Sequence, residues 1–215
     1  MESVLRKIYR SFRSMLSDIK HRRWRKRLTQ DDFTIISHNC WGGTLYQYLN
    51  LEYKTPTVGL IIFPEDYLKF CSNLKTYLAG ELQFIDIKDS KHFDRFVQNG
   101  VQMYDFPVAI LNDIEIYFMH YHSAEEAREK WERRKKRVNY DKILFKLSER
   151  DGLTKDTLYA FSQMPGKKII FTQKKYEDIP DAVFVKDLAE VDRIGASEVG
   201  VTLKKCNVEK LINSI

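Results

Sequence analysis

The feature that most constrains this fold is the alternation of short apolar runs with amphipathic stretches after Asp31. Runs rich in β-branched and aromatic residues predict strands at Thr34–Ser37, Thr57–Phe63, Leu82–Ile87, Val108–Leu111, Ile114–Met119, Ile143–Leu147, Lys168–Thr172 and Ala182–Val185. Apolar residues spaced three and four apart predict helices at about Thr44–Leu51, Asp66–Ala79, Lys91–Gln98, Ala124–Val138, Lys155–Met164 and Val208–Ile212. Because strands that alternate with helices form a sheet covered on both faces, we predict an α/β fold.

Boundary signals refine this prediction. Asn112-Asp113 lies between two apolar runs and predicts a hairpin turn, so we expect a mixed, mostly parallel sheet. The five prolines fall at element boundaries, and no repeat, low-complexity tract or Gly/Ser linker divides the chain. We therefore predict a single α/β domain at residues 31–215, preceded by an amino-terminal arm at residues 1–30.

Charge is concentrated at the amino terminus. Residues 1–27 contain ten Lys or Arg and two acidic residues, a net charge of +8, whereas the rest of the chain carries −2. Cys40, Cys71 and Cys206 form no CxxC pair, which argues against a disulfide framework and a Cys-rich zinc site. No run approaches the ~20 apolar residues that span a bilayer, and no secretory apolar segment is present. We therefore expect a cytoplasmic protein.

The arm has the pattern of a basic amphipathic helix. Its apolar residues recur three and four apart, at Val4, Leu5, Ile8, Tyr9, Phe12, Met15, Leu16 and Ile19. Residues 1–27 therefore suit an anionic membrane surface, where each Lys or Arg contributes ~1 kcal/mol and Trp24 adds an interfacial aromatic. The alternative is that the apolar stripe packs on the body. Nucleic acid is disfavoured as a partner, because the body has no basic excess and no nucleic-acid-binding module.

A polar loop that ends in two glycines follows the first predicted strand. It consists of Ser37, His38, Asn39, Cys40, Trp41, Gly42 and Gly43. A loop of this kind between a strand and a helix directs side chains and backbone N–H groups into a cleft. All seven residues are therefore candidate site residues.

A second candidate constellation begins at His120, where a strong β-like run ends. Ser123 and Glu126 form a capping box that predicts a helix start. This places His120 at the carboxyl end of a strand, where open α/β sheets bind ligands. The ligand-binding candidates in this region are Tyr121, Glu125, Trp131, Arg134, Arg137 and Asn139.

The reactive candidates have competing interpretations. His120 and His38 are candidate general acids or bases, because an imidazole titrates near neutrality, or else they are structural hydrogen-bonding groups. Cys40 is a candidate nucleophile if a helix amino terminus lowers its pKa, and otherwise a buried inert thiol. His120 and His122 lack a carboxylate partner at fixed spacing, so no metal site is assigned, and no cofactor is identified.

The larger side chains are equally open to two interpretations. Trp41 and Trp131 either stack on a sugar or base or pack in the core. Arg134 and Arg137 lie three apart, so they can share one side of a helix and bind a phosphate or carboxylate. The alternative is that both arginines form ion pairs with acids on the body.

Several motifs together resemble a bacterial family of unknown function whose members are commonly labelled exopolysaccharide biosynthesis proteins. The resemblance rests on the SHNCWGG loop at 37–43, on YKTPTVGL at 53–60, on DYLKFCSNL at 66–74, and on the pattern from His120-Tyr121 through Glu126-Ala127, Trp131, Arg134, Arg137, Val138 and Asn139. These matches cover about residues 33–172. The family more usually carries Asn at the position of His38. The resemblance implies a cytoplasmic three-layer α/β/α domain and a role in surface polysaccharide assembly.

These observations lead to two hypotheses of different class. The first is a transferase of exopolysaccharide or capsule biosynthesis, acting on a sugar nucleotide or lipid-linked glycan at the inner membrane surface. In it, Asn39, the Gly42-Gly43 backbone and Arg134 or Arg137 hold phosphate or sugar groups, and His120 is the base or orienting group. The second is a non-catalytic glycan- or nucleotide-binding protein that scaffolds or regulates the same machinery. The chain has neither a DxD-type metal-binding pair nor a GxGxxG loop.

Overall fold

A computed structural model describes residues 22–98, 105–191 and 198–215. Seven strands lie within these ranges: β1 Thr34–Ser37, β2 Leu82–Ile85, β3 Val108–Leu111, β4 Ile114–Tyr117, β5 Ile143–Ser148, β6 Lys167–Thr172 and β7 Ala182–Phe184. After Leu28, the helices are α1 Trp41–Leu49, α2 Pro64–Ser72, α3 Leu74–Ala79, α4 Phe93–Gln98, α5 Ala124–Lys135, α6 Lys155–Gln163, α7 Val199–Thr202 and α8 Val208–Asn213. Two 3-10 helices occupy Ile87–Asp89 and Lys186–Val191. The predicted α/β class is confirmed.

The strands form two sheets. The larger has the order β1-β5-β6-β7, and each adjacent pair is parallel. The smaller has the order β2-β3-β4 and is antiparallel throughout. The expected mostly parallel sheet and the expected antiparallel pairing are both present, but among the described residues they form two separate sheets.

The hairpin prediction at Asn112-Asp113 is confirmed. Strands β3 and β4 pair from Leu111↔Ile114 outward, and Asn112 has φ 56°. An Asn tolerates this left-handed conformation better than most residues. The two-residue turn therefore forms where the sequence places it.

The larger sheet is buried on both faces. Successive strand residues point to opposite faces, so they belong to two different clusters. Ile36 and Ile170 belong to a cluster that includes residues of α2, α5 and α6. Ile35 and Leu144 belong to a second cluster that includes residues of α1, α7 and α8. The parallel sheet is thus a buried middle layer, as parallel sheets require.

The prediction of a strand at Thr57–Phe63 is wrong. Ile61 makes only an isolated antiparallel bridge to Tyr117, and Ile62 N–H donates to the carbonyl of His38 (2.8 Å). Gly59, with φ +70°, interrupts the extended backbone. The segment consequently links the end of β1 to the smaller sheet and does not add a strand to either sheet.

Helix boundaries follow the capping chemistry. The helix start predicted from Ser123 and Glu126 is confirmed, because Ser123 Oγ accepts from Glu126 N–H (3.2 Å) and α5 begins at Ala124. Glu126 in turn accepts from His122 N–H (2.9 Å). The helix predicted at Asp66–Ala79 is divided into α2 and α3 at Asn73, whose φ of −134° is not helical.

Most of the amino-terminal arm lies outside the described residues, so the amphipathic helix and the membrane contact stay predictions for residues 1–21. Residues 22–27 are helical, and the chain just after them is tied to α8: Asn213 donates to the Arg27 carbonyl (3.0 Å) and accepts from Thr29 N–H (3.0 Å). Trp24 is 8% exposed and belongs to the cluster of α1 and α8. The expectation of an interfacial Trp24 was therefore wrong. No helix in the described ranges is long and apolar enough to cross a membrane.

Candidate functional site

The loop at 37–43 joins the carboxyl end of β1 to the amino terminus of α1. Trp41 N–H donates to Asn39 Oδ1 (3.2 Å), and Gly42 N–H donates to Ser37 Oγ (3.1 Å). Ser37 Oγ also donates to the Asn39 carbonyl (2.6 Å). The first two N–H groups of α1 are thus bonded within the loop and are not offered to a ligand.

The two glycines of the loop allow close packing. A Cβ added at Gly42 would lie 2.9 Å from Ser37 Oγ, and one added at Gly43 would lie 3.0 Å from Val58 Cγ1. The contact at Gly42 is shorter than 3.0 Å, a distance that real Cβ atoms essentially never show. The pair therefore lets α1 lie directly against β1 and the segment at Val58, which is a packing role.

The two candidate tryptophans are core residues. Trp41 is 1% exposed, its ring contacts Phe171 (5.5 Å between centroids), and its Nε1 donates to Thr202 Oγ1 (2.8 Å). Trp131 is equally buried, between Phe70 and Phe118. Packing contacts therefore surround both rings; Trp131 lines neither of the cavities described below, whereas Trp41 borders one of them.

Beneath the loop lies a buried polar cluster that we call the Lys146 network. Its members are His38, Asn39, Lys146, Ser148, Arg150, Asp151 and Glu198. Lys146 Nζ forms an ion pair with Glu198 and donates to Asn39 Oδ1 (3.1 Å). Glu198 also accepts from Ser148 Oγ (3.0 Å). The network therefore joins the ends of β1 and β5 to the start of α7.

The other half of the network surrounds Asp151. Arg150 Nε lies 3.1 Å from Asp151 Oδ2, and His38 Nε2 lies 3.4 Å from the same oxygen. Arg150 also approaches Glu198, with NH1 3.4 Å from Oε2. The basic side chains of Lys146 and Arg150 are thus paired with two carboxylates out of water, and burial together with the charge of Arg150 lowers the pKa of Lys146 well below its usual value.

Burial sets the protonation states in this network. It lowers the pKa of His38 to about 4, with the charge of Lys146 acting in the same direction and Asp151 opposing it. Burial alone would raise the pKa of Asp151, but the hydrogen bond from His38 and the charges of Arg150 and Lys146 hold that pKa below its usual range. At neutral pH, His38 is therefore neutral and Asp151 is ionised.

The condition for a nucleophilic Cys40 is not met. Burial raises the pKa of the Cys40 thiol to about 11, and the charges of Lys146 and Arg150 reduce this effect only in part. Because the thiolate is the reactive form, the thiol is inert near neutral pH. Cys40 therefore lines the cavities described below without acting as a nucleophile.

Two adjoining cavities open above the network. The Arg134 cavity, of about 310 Å³, is lined by Cys40, Gly43, Thr44, Gln47, Val58, Gly59, His120, Tyr121, Lys130 and Arg134. The Asp151 cavity, of about 200 Å³, is lined by Asn39, Cys40, Trp41, Thr44, Ile61, His120, Arg150, Asp151, Glu198 and Val199. They share Cys40, Thr44 and His120. The two sequence constellations therefore meet at one site.

His120 lies at the junction of the two cavities and is exposed. Its backbone N–H donates to the carbonyl of Gly59 (3.0 Å), which fixes the segment against the Val58 turn. His38, in contrast, is fully buried and lines neither cavity. Of the two candidate histidines, His120 can reach a ligand, whereas His38 supports the residues beneath it.

Arg134 is buried and faces the first cavity. Its NH1 donates to Tyr121 Oη (2.6 Å), and its guanidinium lies 4.8 Å from the centroid of the Tyr53 ring. Tyr121 Oη in turn donates to the Val58 carbonyl (2.5 Å). Both of these contacts of Arg134 are with neutral tyrosines, and none of the ion pairs among the described residues involves it. A buried cation without a counterion is costly, and an anion in the cavity could supply that counterion.

The remaining candidates lie elsewhere. Arg137 forms an ion pair with Glu52 (2.9 Å), which is the structural alternative weighed for it. Asn139 caps the opposite end of β1, where its N–H donates to Thr34 Oγ1 (2.8 Å). Glu125 is exposed in the first turn of α5 and lines neither cavity. None of the three is brought to the site.

Five residues of the network were missed by sequence reasoning: Lys146, Ser148, Arg150, Asp151 and Glu198. Lys146 carried a signal, because a charged residue in the middle of the apolar run Ile143–Ser148 must find a partner or reach water. Arg150 and Asp151 directly follow β5, at the same sheet edge as Ser37. Glu198 carried no local signal, because only the tertiary fold brings it to Lys146.

A larger hollow, of about 610 Å³, lies at the other end of the sheet. It is bordered by the first residues of β5 and β6 and by the carboxyl-terminal Ser214 and Ile215. None of the predicted site residues lines it. In the described ranges, no three His, Cys, Asp or Glu side chains gather closely enough to hold a metal ion.

Gly59 provides a direct test of the site geometry. Its φ of +70° disfavours any residue with a Cβ, and an added Cβ would lie 3.2 Å from both His120 Cβ and the Tyr121 ring. We expect Gly59→Ala to lower the free energy of unfolding by roughly 1–3 kcal/mol, from the left-handed backbone and the contact together. Denaturant unfolding measures this change.

The matched control for this substitution is Gly200→Ala in α7. Gly200 has no atom within 4 Å of an added Cβ, and Ala is favoured over Gly in a helix by about 1 kcal/mol. We expect this variant to be neutral or more stable. Equal destabilisation of the two variants would contradict the interpretation of Gly59.

Comparison with known proteins places the chain in a family. A protein of Haemophilus influenzae (strain ATCC 51907 / DSM 11121 / KW20 / Rd), described as "Uncharacterized protein", is 34% identical over 176 residues, which cover 81% of this chain and 78% of the relative. The match to a family described as "Domain of unknown function (DUF1919)" covers residues 11–212, so it extends beyond residues 33–172 at both ends and includes part of the basic arm. The chain therefore belongs to the DUF1919 family.

Proposed function

We propose that this protein is a transferase of surface polysaccharide biosynthesis that acts on a phosphorylated sugar, either a sugar nucleotide or a lipid-linked glycan. The polysaccharide context comes from the sequence resemblance described above. The single observation that carries the chemistry is the buried Arg134 guanidinium, which faces a cavity with no carboxylate beside it.

The phosphate site is argued from charge. The lining of the Arg134 cavity includes Arg134 and Lys130 but no acidic side chain. Lys130 is half-buried and is paired with Glu126, so it offers less uncompensated positive charge to a phosphate than Arg134 does. Removing a guanidinium from water without a counterion is costly, and a phosphate oxygen in the cavity would supply that counterion.

Tyr121 and Tyr53 hold Arg134 in place for this task. The Tyr121 hydroxyl accepts from the guanidinium and donates to the backbone at Val58, which fixes the direction of one N–H group. The Tyr53 ring lies under the guanidinium plane. Both contacts are neutral, so they orient the cation without cancelling its charge.

His120 is placed between the two cavities for proton transfer. In the proposed reaction, an acceptor hydroxyl oxygen bonds to the anomeric carbon, while the bond from that carbon to the phosphate oxygen breaks. The hydroxyl proton passes to His120, and the leaving phosphate keeps the electron pair, with its charge stabilised by Arg134. General-base catalysis of this kind contributes roughly 10²–10⁴-fold to the rate.

Binding is tested by thermal shift and calorimetric titration of the full chain. The probes are nucleotide sugars, a short-chain prenyl diphosphate sugar and acyl-CoA. We expect at least one phosphorylated sugar to bind, and Arg134→Gln to weaken that binding roughly 10- to 100-fold, which is the loss of a charged hydrogen bond. The matched control is Arg133→Gln, because Arg133 is exposed on the same helix and pairs with Glu129. Binding that Arg134→Gln and Arg133→Gln leave equally intact would overturn the phosphate site.

Catalysis is tested with His120→Ala. We expect this variant to bind the phosphorylated sugar like the wild type and to lose at least 100-fold in transfer rate, whereas His122→Ala, at an exposed neighbouring position, should keep it. Binding without turnover in the wild type, across the panel of acceptors, would contradict the transferase. That result would identify a non-catalytic binding protein of the same machinery.

A further inference from the structure

We infer that the Asp151 cavity is the subsite for the uncharged sugar ring of the ligand whose phosphate occupies the Arg134 cavity. This inference rests on the proposed function. It adds which end of the ligand lies in which cavity, and therefore which side chains select the sugar.

The shape of the site supports two subsites and not one. The two cavities share three lining residues, Cys40, Thr44 and His120. A ligand that spans this junction has one part on each side of His120. The bond between the sugar and the phosphate would then lie beside the imidazole, where the proposed transfer needs it.

The charges of the two linings differ in a way that orders the ligand. The carboxylates of Asp151 and Glu198 border the smaller cavity, whereas no carboxylate borders the Arg134 cavity. Asp151 and Glu198 are already paired with Arg150 and Lys146, so this lining has no excess positive charge for a phosphate, whereas Arg134 faces its cavity with no carboxylate beside it. The anionic part of the ligand is therefore directed to Arg134, and an uncharged part is directed to Asp151.

The remaining lining of the smaller cavity suits a polyhydroxylated ring. The Asp151 and Glu198 carboxylates accept hydrogen bonds, the Arg150 guanidinium donates them, and the Asn39 amide can do both. Ile61 and Val199 provide the apolar part of the lining. Sugar hydroxyls both donate and accept, and a sugar ring also has apolar C–H faces, so each lining type has a complement.

Asp151 is held rigidly for such a role. It follows β5 with φ 56°, and Gly152 follows with φ +81°, so a tight turn directs the carboxylate into the network. Its oxygen Oδ2 lies within 3.4 Å of both Arg150 and His38. Asp tolerates the left-handed region better than most residues, so this turn forms without a large backbone penalty.

The test compares nucleotide sugars with the nucleotides that lack the sugar. The full chain is titrated with UDP, UDP-glucose, UDP-galactose, UDP-N-acetylglucosamine, GDP and GDP-mannose. We expect one nucleotide sugar to bind at least tenfold more tightly than its parent diphosphate. Asp151→Asn should remove this tenfold gain and leave the affinity for the diphosphate within twofold of wild type, while Asp141→Asn, at the far end of the sheet, should change neither.

A second measurement does not depend on a variant that folds. In saturation-transfer NMR on the wild-type chain, the sugar-ring protons should receive saturation as strongly as the nucleoside protons. Saturation of the nucleoside protons alone, or a sugar gain that survives Asp151→Asn, would overturn the subsite. Either outcome, with diphosphate binding still weakened in Arg134→Gln, leaves the proposed phosphate site intact, whereas no binding of any of these probes or of the prenyl diphosphate sugar would reject both proposals.

Discussion

Glu198→Gln should lower the free energy of unfolding by about 3–5 kcal/mol, the magnitude typical of a broken buried ion pair. Glu198 is 2% exposed and contacts Lys146, Ser148 and Arg150. Gln keeps the shape of the side chain but removes the negative charge, so two buried cations lose a carboxylate at once. Urea unfolding of the full chain, followed by circular dichroism, measures the change.

The control for this prediction is Glu190→Gln, because Glu190 is exposed near the end of the preceding 3-10 helix. It should change stability by no more than about 0.5 kcal/mol. The double variant Lys146→Met with Glu198→Met should be less destabilised than the sum of its two single variants, since it removes both charges together. Strict additivity would show that the two residues do not act as a pair.

Lowering the pH from 6.5 to 4 should destabilise the protein by roughly 3 kcal/mol through His38 alone. Burial lowers the pKa of His38 from its ordinary 6.5 to about 4, so the unfolded chain takes up a proton in this range and the folded chain does not. The contribution of neutral His38 to the free energy of unfolding is therefore fully present above pH 6.5 and is lost as the pH falls toward 4. His38 Nδ1 makes no hydrogen bond within the described structure, so a second ring proton would have no acceptor.

His38→Asn should remove this pH dependence, whereas His122→Asn, at an exposed position, should leave it unchanged. Asp151 acts at lower pH, because its depressed pKa gives stability that is lost only as the pH falls below its ordinary value of 3.8. The pKa values of Glu125 and Glu126 are likewise held below their ordinary 4.5, so the window between pH 6.5 and about 5 reports His38 with the least contribution from carboxylates. Equal pH slopes for the wild type and His38→Asn, measured by urea unfolding at each pH, would refute this assignment.

Local chemistry was sufficient to predict several elements from the sequence. Strands β1 and β3 occupy their predicted residues, and the capping box at Ser123 begins α5 where expected. Each depends on neighbours within four residues, such as the period of apolar residues or a side chain that caps a nearby N–H group. The α/β class follows from the same local signals, repeated along the chain.

The local pattern was misleading where a distant contact determined the outcome. Thr57–Phe63 has the composition of a strand, but Gly59 turns the chain. The backbone N–H groups of Ile61 and Ile62 then donate to Tyr117 and His38. The pattern also could not separate the two sheets, because strand pairing depends on partners far apart in sequence. Arg134 and Arg137 looked equivalent on one predicted helix, but α5 ends at Lys135, Arg134 is buried against Tyr121, and Arg137 pairs with Glu52.

The sequence by itself thus determined the fold class, the two constellations that carry His120 and the Asn39 loop, and the concentration of positive charge at the amino terminus. Only the tertiary structure brought Glu198 to Lys146, Asp151 to His38 and Arg134 to a cavity without a counterion. The physical reason is range. Helix and strand formation depends on interactions between near neighbours, whereas a buried charge is tolerated or made reactive by groups that folding brings from more than 50 residues away.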